Sequence, residues 1–455
     1  MNKFIQSVKN IWSIEELRNK IIMTLGLMVV YRFAAQVTLP GLDGAAIAEA
    51  MNSKSGTGGL LDIINMFTGG GFSSASVMAL GVMPYISASI VVQLMGIAIP
   101  YLQKLQNDGE SGRKKITQIT RWLTIGITLV QGPAYIANLG NIGIPESAFL
   151  LGHGGLFWFT SLILLTTGSV FAMWLGEKIT DKGIGNGISL LIMIGIIARF
   201  PGAFMLEFAA KVNGGSAGTS GGAGGMMMIL IEIIAWFVVI LLSVYLVTAI
   251  RKVAVQYARK TVAGTVRDVA GARQYIPLKL NSAGVMPIIF AQAIMFVPSA
   301  IQNASFSSDG VKSVAGWFSD FNGLGYNLLF AFLIIIFSYF YTAITVKTNE
   351  MATSLKRSNG FIPGVRPGKD TDNYLDRILS LITFPGSIFL AMLAVLPAFV
   401  RMFGISQGWA MFFGGTSLII MVGVAIDTIQ QINAHLLNRH YDGLMKTGTK
   451  RKTGV

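Results

Sequence analysis

The chain has 455 residues, of which 53% are hydrophobic and only 12% charged, and its mean hydropathy is +0.61. Soluble domains carry about 25% charged residues, so the composition excludes an ordinary soluble protein and points to a membrane. The net charge is +14 and no cysteine occurs, which excludes disulfides, iron–sulfur clusters and cysteine-ligated zinc.

The apolar residues are arranged in runs. A helix of about 20 apolar residues crosses a bilayer. Ten such spans are predicted, at 21–39, 77–100, 116–139, 156–176, 184–203, 226–250, 284–301, 326–346, 378–400 and 408–429. The first 20 residues hold Glu15 and Glu16 and no small-residue cleavage site, so no cleavable signal is expected.

Between the first two spans lies the most informative segment. Residues 62–94 form one apolar tract, interrupted by Gly69, Gly70 and Gly71. The piece before the break is too short to cross a bilayer. Irregular backbone at membrane depth is tolerated only where protein covers it or water lines it. A half-helix followed by a full span therefore points to a cavity or pore with the short piece inside.

Ten spans place both termini on one side. The segments on that side carry a formal charge of +17, against −3 for everything else. Lysine and arginine mark the cytoplasmic side, so both termini are expected there. Topology alone accounts for basic loops. Residues 251–279, however, carry Arg251, Lys252, Arg259, Lys260, Arg267, Arg273 and Lys279 against the single acid Asp268. A loop of that charge also suits an anionic partner such as ribosomal RNA or an acidic protein. On the opposite side, residues 213–225 read as a glycine-rich linker. This linker divides the chain into two five-span halves. An odd number of spans inverts the second half, as in many proteins that move substrates across membranes.

Catalytic motifs are sparse. Residues 364–369 have the wrong spacing for a P-loop, and GIGNGIS at 183–189 follows no strand, so neither reads as a phosphate site. His153, His435 and His440 lack an acidic ligand cluster; neither a metal nor a cofactor is expected. Arg32, Glu232 and Asp427 fall within spans and Arg199 near a span end. Such charges mark functional sites by default; here structural roles are the reading, with a proton or ion relay as the alternative. A small-solute transporter needs convergent polar groups at the midplane, and none is evident. A ribosome-binding scaffold would explain the basic loops but not the glycine-broken segment. Val82 and Ile86, like Ile188 and Ile192, are four apart and share a helix face. Such pairs serve packing or lipid contact, or, in a ring, form a seal that excludes water.

Six segments sharpen this reading: NMFTGGGFSSASVMALGVMPYISASI (65–90), GESGRKKI (109–116), MWLGEKITDKGIGNGIS (173–189), PLKLNSAGVMP (277–287), FIPGVRPGK (361–369) and FGGTSL (413–418). In this order they resemble the bacterial SecY family, the pore subunits of Sec protein translocases, over about residues 15–435.

The resemblance implies an all-α membrane protein that is not an enzyme. Ten transmembrane helices form two inverted five-helix halves around a central pore, with a plug half-helix. It implies a cytoplasmic N-terminal segment 1–20, an N-terminal half 21–212, the external linker 213–225, a C-terminal half 226–430 and a basic cytoplasmic tail 431–455. Val82, Ile86, Ile188, Ile192, Ile289 and Ile420 match the pore ring. Valine at 82 makes the seal slightly looser there. Residues 62–74, with Asp62, Asn65, Met66, Phe67, Gly69, Gly70 and Gly71, match the plug. Ser87 and Gln93, facing Gln292 and Val297, match a lateral gate opening to lipid. Loops 251–280 and 347–377 match the docking surface for SecA and the ribosome, through Arg251, Lys252, Arg259, Lys260, Lys356, Arg357, Arg366 and Lys369. The first loop is longer than in typical relatives around 265–273. Implied partners are SecE-like and SecG-like small subunits, signal sequences, nascent polypeptides and anionic lipids. The energy source is external, because no ATP site is present in the sequence.

Overall fold

The computed structural model describes residues 12–47, 68–137, 139, 148–150, 152, 154–212, 223–257, 274–303, 316–318 and 323–449. In chain order the main helices are α1 (Glu15–Ala34), α2 (Met83–Ala98), α3 (Pro100–Asn107), α4 (Gly109–Ala137), α5 (Gly155–Lys182), α6 (Gly187–Val212) and α7 (Ala223–Thr248). Then come the strands β1 (Ile250–Tyr257) and β2 (Gln274–Lys279) and the helices α8 (Met286–Asn303), α9 (Leu324–Thr345) and α10 (Thr348–Arg357). Strand β3 (Gly360–Phe361) is followed by α11 (Lys369–Met402), α12 (Gln407–Ala410) and α13 (Gly415–Thr449).

Each predicted span falls on a helix. Among the described residues, six helices are long and apolar enough to cross a membrane, and Met83–Gly96 with Pro100–Gln106 makes a seventh if the bent pair is one span. Large apolar side chains such as Val29, Phe33, Leu241 and Phe332 stand exposed on their outer faces. This is the arrangement of helices whose solvent is hydrocarbon, where backbone polar groups must be satisfied within the segment.

The second span begins later than predicted, at Met83 rather than at 77, and is followed by a 104° bend into α3. The cause is local. Gly81 adopts φ +51°, a left-handed conformation that ends regular structure and favours glycine. Pro84 then lies in the first turn of α2, where its missing N–H leaves no helical bond unmade. At the other end Ile99 is extended and Pro100 starts the next helix, as expected for the residue before a proline.

The chain divides into two compact units. The first comprises Met1–Ala209, Gln407–Trp409 and Val424–Val455. In it α4 packs on α2, α3 and α5, and α5 also packs on α1. Its core includes Leu39, Phe72, Tyr135, Phe157 and Leu165. The second unit comprises Ala210–Ser406 and Ala410–Gly423. Here α9 packs on α8 and α11, around Ile288, Ala291, Ile334, Leu390 and Leu418.

The expectation of an all-α chain is corrected in the second unit. The loops 251–280 and 347–377 contribute a three-stranded antiparallel sheet in the order β2-β1-β3. Val253 and Val255 alternate with more exposed neighbours along β1 and turn inward, onto Leu278, Leu355, Ile362 and Leu375. The alternation is confined to Val253 and Val255, too short for a strand signal beside Arg251 and Lys252.

Candidate functional site

The glycine-broken segment is held by named contacts in the first unit. Of the predicted plug, Asp62, Asn65, Met66 and Phe67 lie outside the described residues. The half-helix expected before the glycines falls almost wholly on these residues; the described part, 68–74, is a chain of turns. Gly69 and Gly70 adopt φ +65° and +99°, the region that disfavours a helix and favours glycine. The Phe72 amide donates to Thr68 Oγ1 at 3.1 Å, and the Ser73 and Ser74 hydroxyls donate to the Gly70 carbonyl at 3.2 and 3.0 Å. Tyr135 donates its hydroxyl to the Phe72 carbonyl at 2.6 Å. Thr68 and Phe72 are buried. Much of this irregular backbone is thus covered by protein, while Gly69 and Gly70 are half-buried.

Behind this turn the chain is tied to the end of the first span. The Leu39 amide donates to the Ala75 carbonyl and the Val77 amide to the Val37 carbonyl, each at 2.9 Å. Arg32 of α1 donates from Nη1 to the Gly69 carbonyl at 3.1 Å. This charge, predicted to fall within a span, thus has a polar partner in the turn. Glu232 likewise pairs with Lys211 at 3.3 Å, both side chains nearly buried. Asp427 is exposed on α13.

The aliphatic positions are placed by equally local means. Val82 is the N-cap of α2, 1% exposed, and its carbonyl accepts the Ile86 amide one turn later. Ile188 and Ile192 sit one turn apart at the start of α6. That start is built by GIGNGIS. Asn186 Oδ1 accepts the amides of Ile188 and Ser189 at 3.2 and 3.4 Å, which satisfies helix-end donors as an N-cap does. Thr24 Oγ1 accepts the Ile184 amide at 3.1 Å and Gln431 Oε1 the Gly185 amide at 2.8 Å. The motif is a helix start clamped by α1 and α13. In the second unit Ile289 lies half-buried on α8 and Ile420, 1% exposed, on α13.

Of the gate positions, Ser87 and Gln93 lie on α2, where Gln93 Nε2 donates to Ser89 Oγ at 3.2 Å. Gln292 and Val297 lie on α8. Gln292 is buried, and no described residue pairs with its Oε1. The sequence did not signal the clamps at Thr24 and Gln431, because an isolated polar side chain on an apolar helix carries no spacing pattern.

The basic positions meet in the sheet body. Arg251 and Lys252 are exposed on β1, opposite Leu278 and Pro277. Lys356 and Arg357 end α10, where cations complement the helix dipole. Arg366 and Lys369 are exposed beyond β3, and the Arg366 carbonyl accepts the Thr371 hydroxyl at 2.9 Å. β3 pairs with the end of β1 through Gln256–Phe361 and Tyr257–Gly360. One small core therefore carries basic residues from both loops. Arg259 and Lys260 lie outside the described residues. Among the described residues no three His, Cys, Asp or Glu side chains converge on a metal position.

These features agree with comparisons to known proteins. The SecY family model matches residues 76–429. The Streptomyces coelicolor protein translocase subunit SecY is 38% identical over 444 residues, 95% of this chain and 97% of its own length. The Mycobacterium bovis subunit of the same name is 37% identical over 461 residues, covering 98% of this chain and all of its own length. A solved protein-conducting channel superposes with a TM-score of 0.60 at 18% identity over 92% of both chains. Sec61 from a canine ribosome–channel complex of the endoplasmic reticulum does so with 0.58 at 18% identity, again over 92% of both. With its six motifs in family order, its membrane-length helices and this full-length similarity, the chain belongs to the SecY family.

Proposed function

We propose that this chain is the channel subunit of a protein translocase. It passes unfolded secretory polypeptides across a membrane and releases apolar segments sideways into lipid. The observation that carries this is full-length membership of the SecY family in a chain whose triple-glycine turn packs against Gly195 of the membrane-length helix α6.

In this reading the ten helices form two inverted halves, and Val82, Ile86, Ile188, Ile192, Ile289 and Ile420 close a ring between them. Branched aliphatics exclude water from a narrow passage and show no hydrogen-bond preference. Such a ring seals the resting pore and accepts any peptide sequence. Residues 62–74 plug its outer side. Ser87 and Gln93 on one lip face Gln292 and Val297 on the other. Signal sequences and future spans leave between these lips, because apolar helices partition favourably into the bilayer.

The termini and the sheet body face the cytoplasm, as the positive charge on that side supports. The membrane is the cytoplasmic one. The sheet body receives a SecA motor or the ribosome, its exposed arginines and lysines meeting acidic protein or RNA phosphates. SecE-like and SecG-like subunits complete the channel, and anionic lipids meet its basic rim. The motor or the ribosome supplies the energy.

The test is reconstitution. The chain, purified with a SecE-like subunit and placed in vesicles, should protect a signal-bearing precursor from external protease when SecA and ATP are present. Vesicles that exclude the precursor but accumulate a small solute would instead support a secondary transporter.

A further inference from the structure

We infer that Arg32 is the residue that seats the triple-glycine turn, and that its bond to Gly69 is the contact released when the channel opens. The inference rests on the reading that residues 62–74 close the pore.

Arg32 lies in the last turn of α1, within an apolar run. An ionised side chain at membrane depth persists only where a polar partner compensates it. Among the described residues, its hydrogen bond goes to a backbone carbonyl rather than to a carboxylate. That carbonyl belongs to Gly69, whose φ of +65° turns the chain. A Cβ added at Gly69 would run into Arg32 Nη1 and would lie 2.9 Å from the Gly195 Cα. Gly69 is thus gripped between a guanidinium from α1 and the backbone of α6, and only glycine fits the grip.

The two ends of the turn are held differently. At the rear, backbone bonds link Ala75 to Leu39 and Val77 to Val37. At the front, the side chain of Arg32 holds Gly69. Between them the turn closes on itself through Thr68, Ser73 and Ser74. Releasing Arg32 frees Gly69, while the Tyr135 hydroxyl on the Phe72 carbonyl and the backbone bonds at Ala75 and Val77 stay in place. The glycines then move relative to Phe72 without unfolding the rest of the turn. A charge-assisted bond suits this task because it is directional and stronger than a neutral one.

The experiment uses the channel complex in planar bilayers, with four chains: the parent, a deletion of 62–74, Arg32→Met and Gly69→Ala. Resting conductance should rise roughly ten- to a hundredfold in Arg32→Met and in Gly69→Ala, the factor set by losing one hydrogen bond to a charged group. Arg32→Met should add nothing in the deletion background. A single thiol supplied by Ser73→Cys in this cysteine-free chain should react faster with an impermeant maleimide in both point variants.

A deletion that stays tight would remove the plug reading itself. A leaking deletion with both point variants tight would overturn the role of Arg32. If Arg32→Met does not accumulate, Gly69→Ala decides, since it leaves the arginine in place. An unchanged thiol reactivity there overturns the proposal.

Discussion

The Gly176 carbonyl on α5 packs against Gly187 on α6 so closely that no Cβ fits between them. A Cβ on Gly176 would in turn meet the Ile188 side chain at 2.7 Å. Two glycines thus let α5 and α6 touch where Ile188 enters the first turn of α6.

This contact predicts the cost of filling it. Gly187→Val must push α6 away from α5, and overpacking of this kind costs about 1–3 kcal/mol. The melting temperature of the detergent-solubilised protein should fall. Because Ile188 moves with α6, the resting seal should also loosen. An unchanged melting temperature would show that the two helices can separate freely.

The ring itself is tested by removing its bulk. Ile86, Ile188, Ile192 and Ile289 replaced together by serine should let ions through the resting channel, because the seal depends on an apolar, bulky lining. The measurement is planar-bilayer conductance of the purified complex. Parental conductance in the quadruple variant would sink the ring assignment.

The gate assignment is tested by crosslinking. Cysteines introduced through Ser87→Cys and Val297→Cys should form a disulfide on mild oxidation, and the crosslink should block secretion. A disulfide needs Cα atoms within about 7 Å, so the experiment reports directly on whether α2 and α8 present facing lips. Absence of the crosslink in resting and translocating channels alike would remove these residues from the gate.

Arg366 supplies the test of docking. It is exposed in a turn bounded by Gly364 at φ +85° and Gly368 at φ +111°, and its carbonyl is fixed by Thr371. The backbone that carries this exposed side chain is therefore fixed beside the sheet. Arg366→Glu should cripple SecA-driven translocation, since like charges opposed across an interface cost several kcal/mol, roughly. The protein should still insert, because one charge among many does not reverse the topology. Normal translocation at normal abundance would exclude a docking role, whereas loss of the protein would mean that Arg366 supports the loop.

The sequence alone was enough to place helices, because burial in hydrocarbon demands long uninterrupted apolar runs; each predicted run falls on a helix, and among the described residues six of these, or seven with the bent pair, are long and apolar enough to cross a membrane. Motif order was enough to place the family. Glycine triplets announced a turn at 69–71, since left-handed backbone selects glycine. Three features were decided only in the folded chain. GIGNGIS became a clamped helix start because Thr24 and Gln431, distant in sequence, accept its amides. The loops 251–280 and 347–377 became one body because Gly360 and Phe361 pair with β1 across about a hundred residues of chain. Arg32 acquired its partner because the turn brought the Gly69 carbonyl to it. Each depends on a hydrogen bond between positions with no periodic relation, and only the tertiary structure brings such positions together.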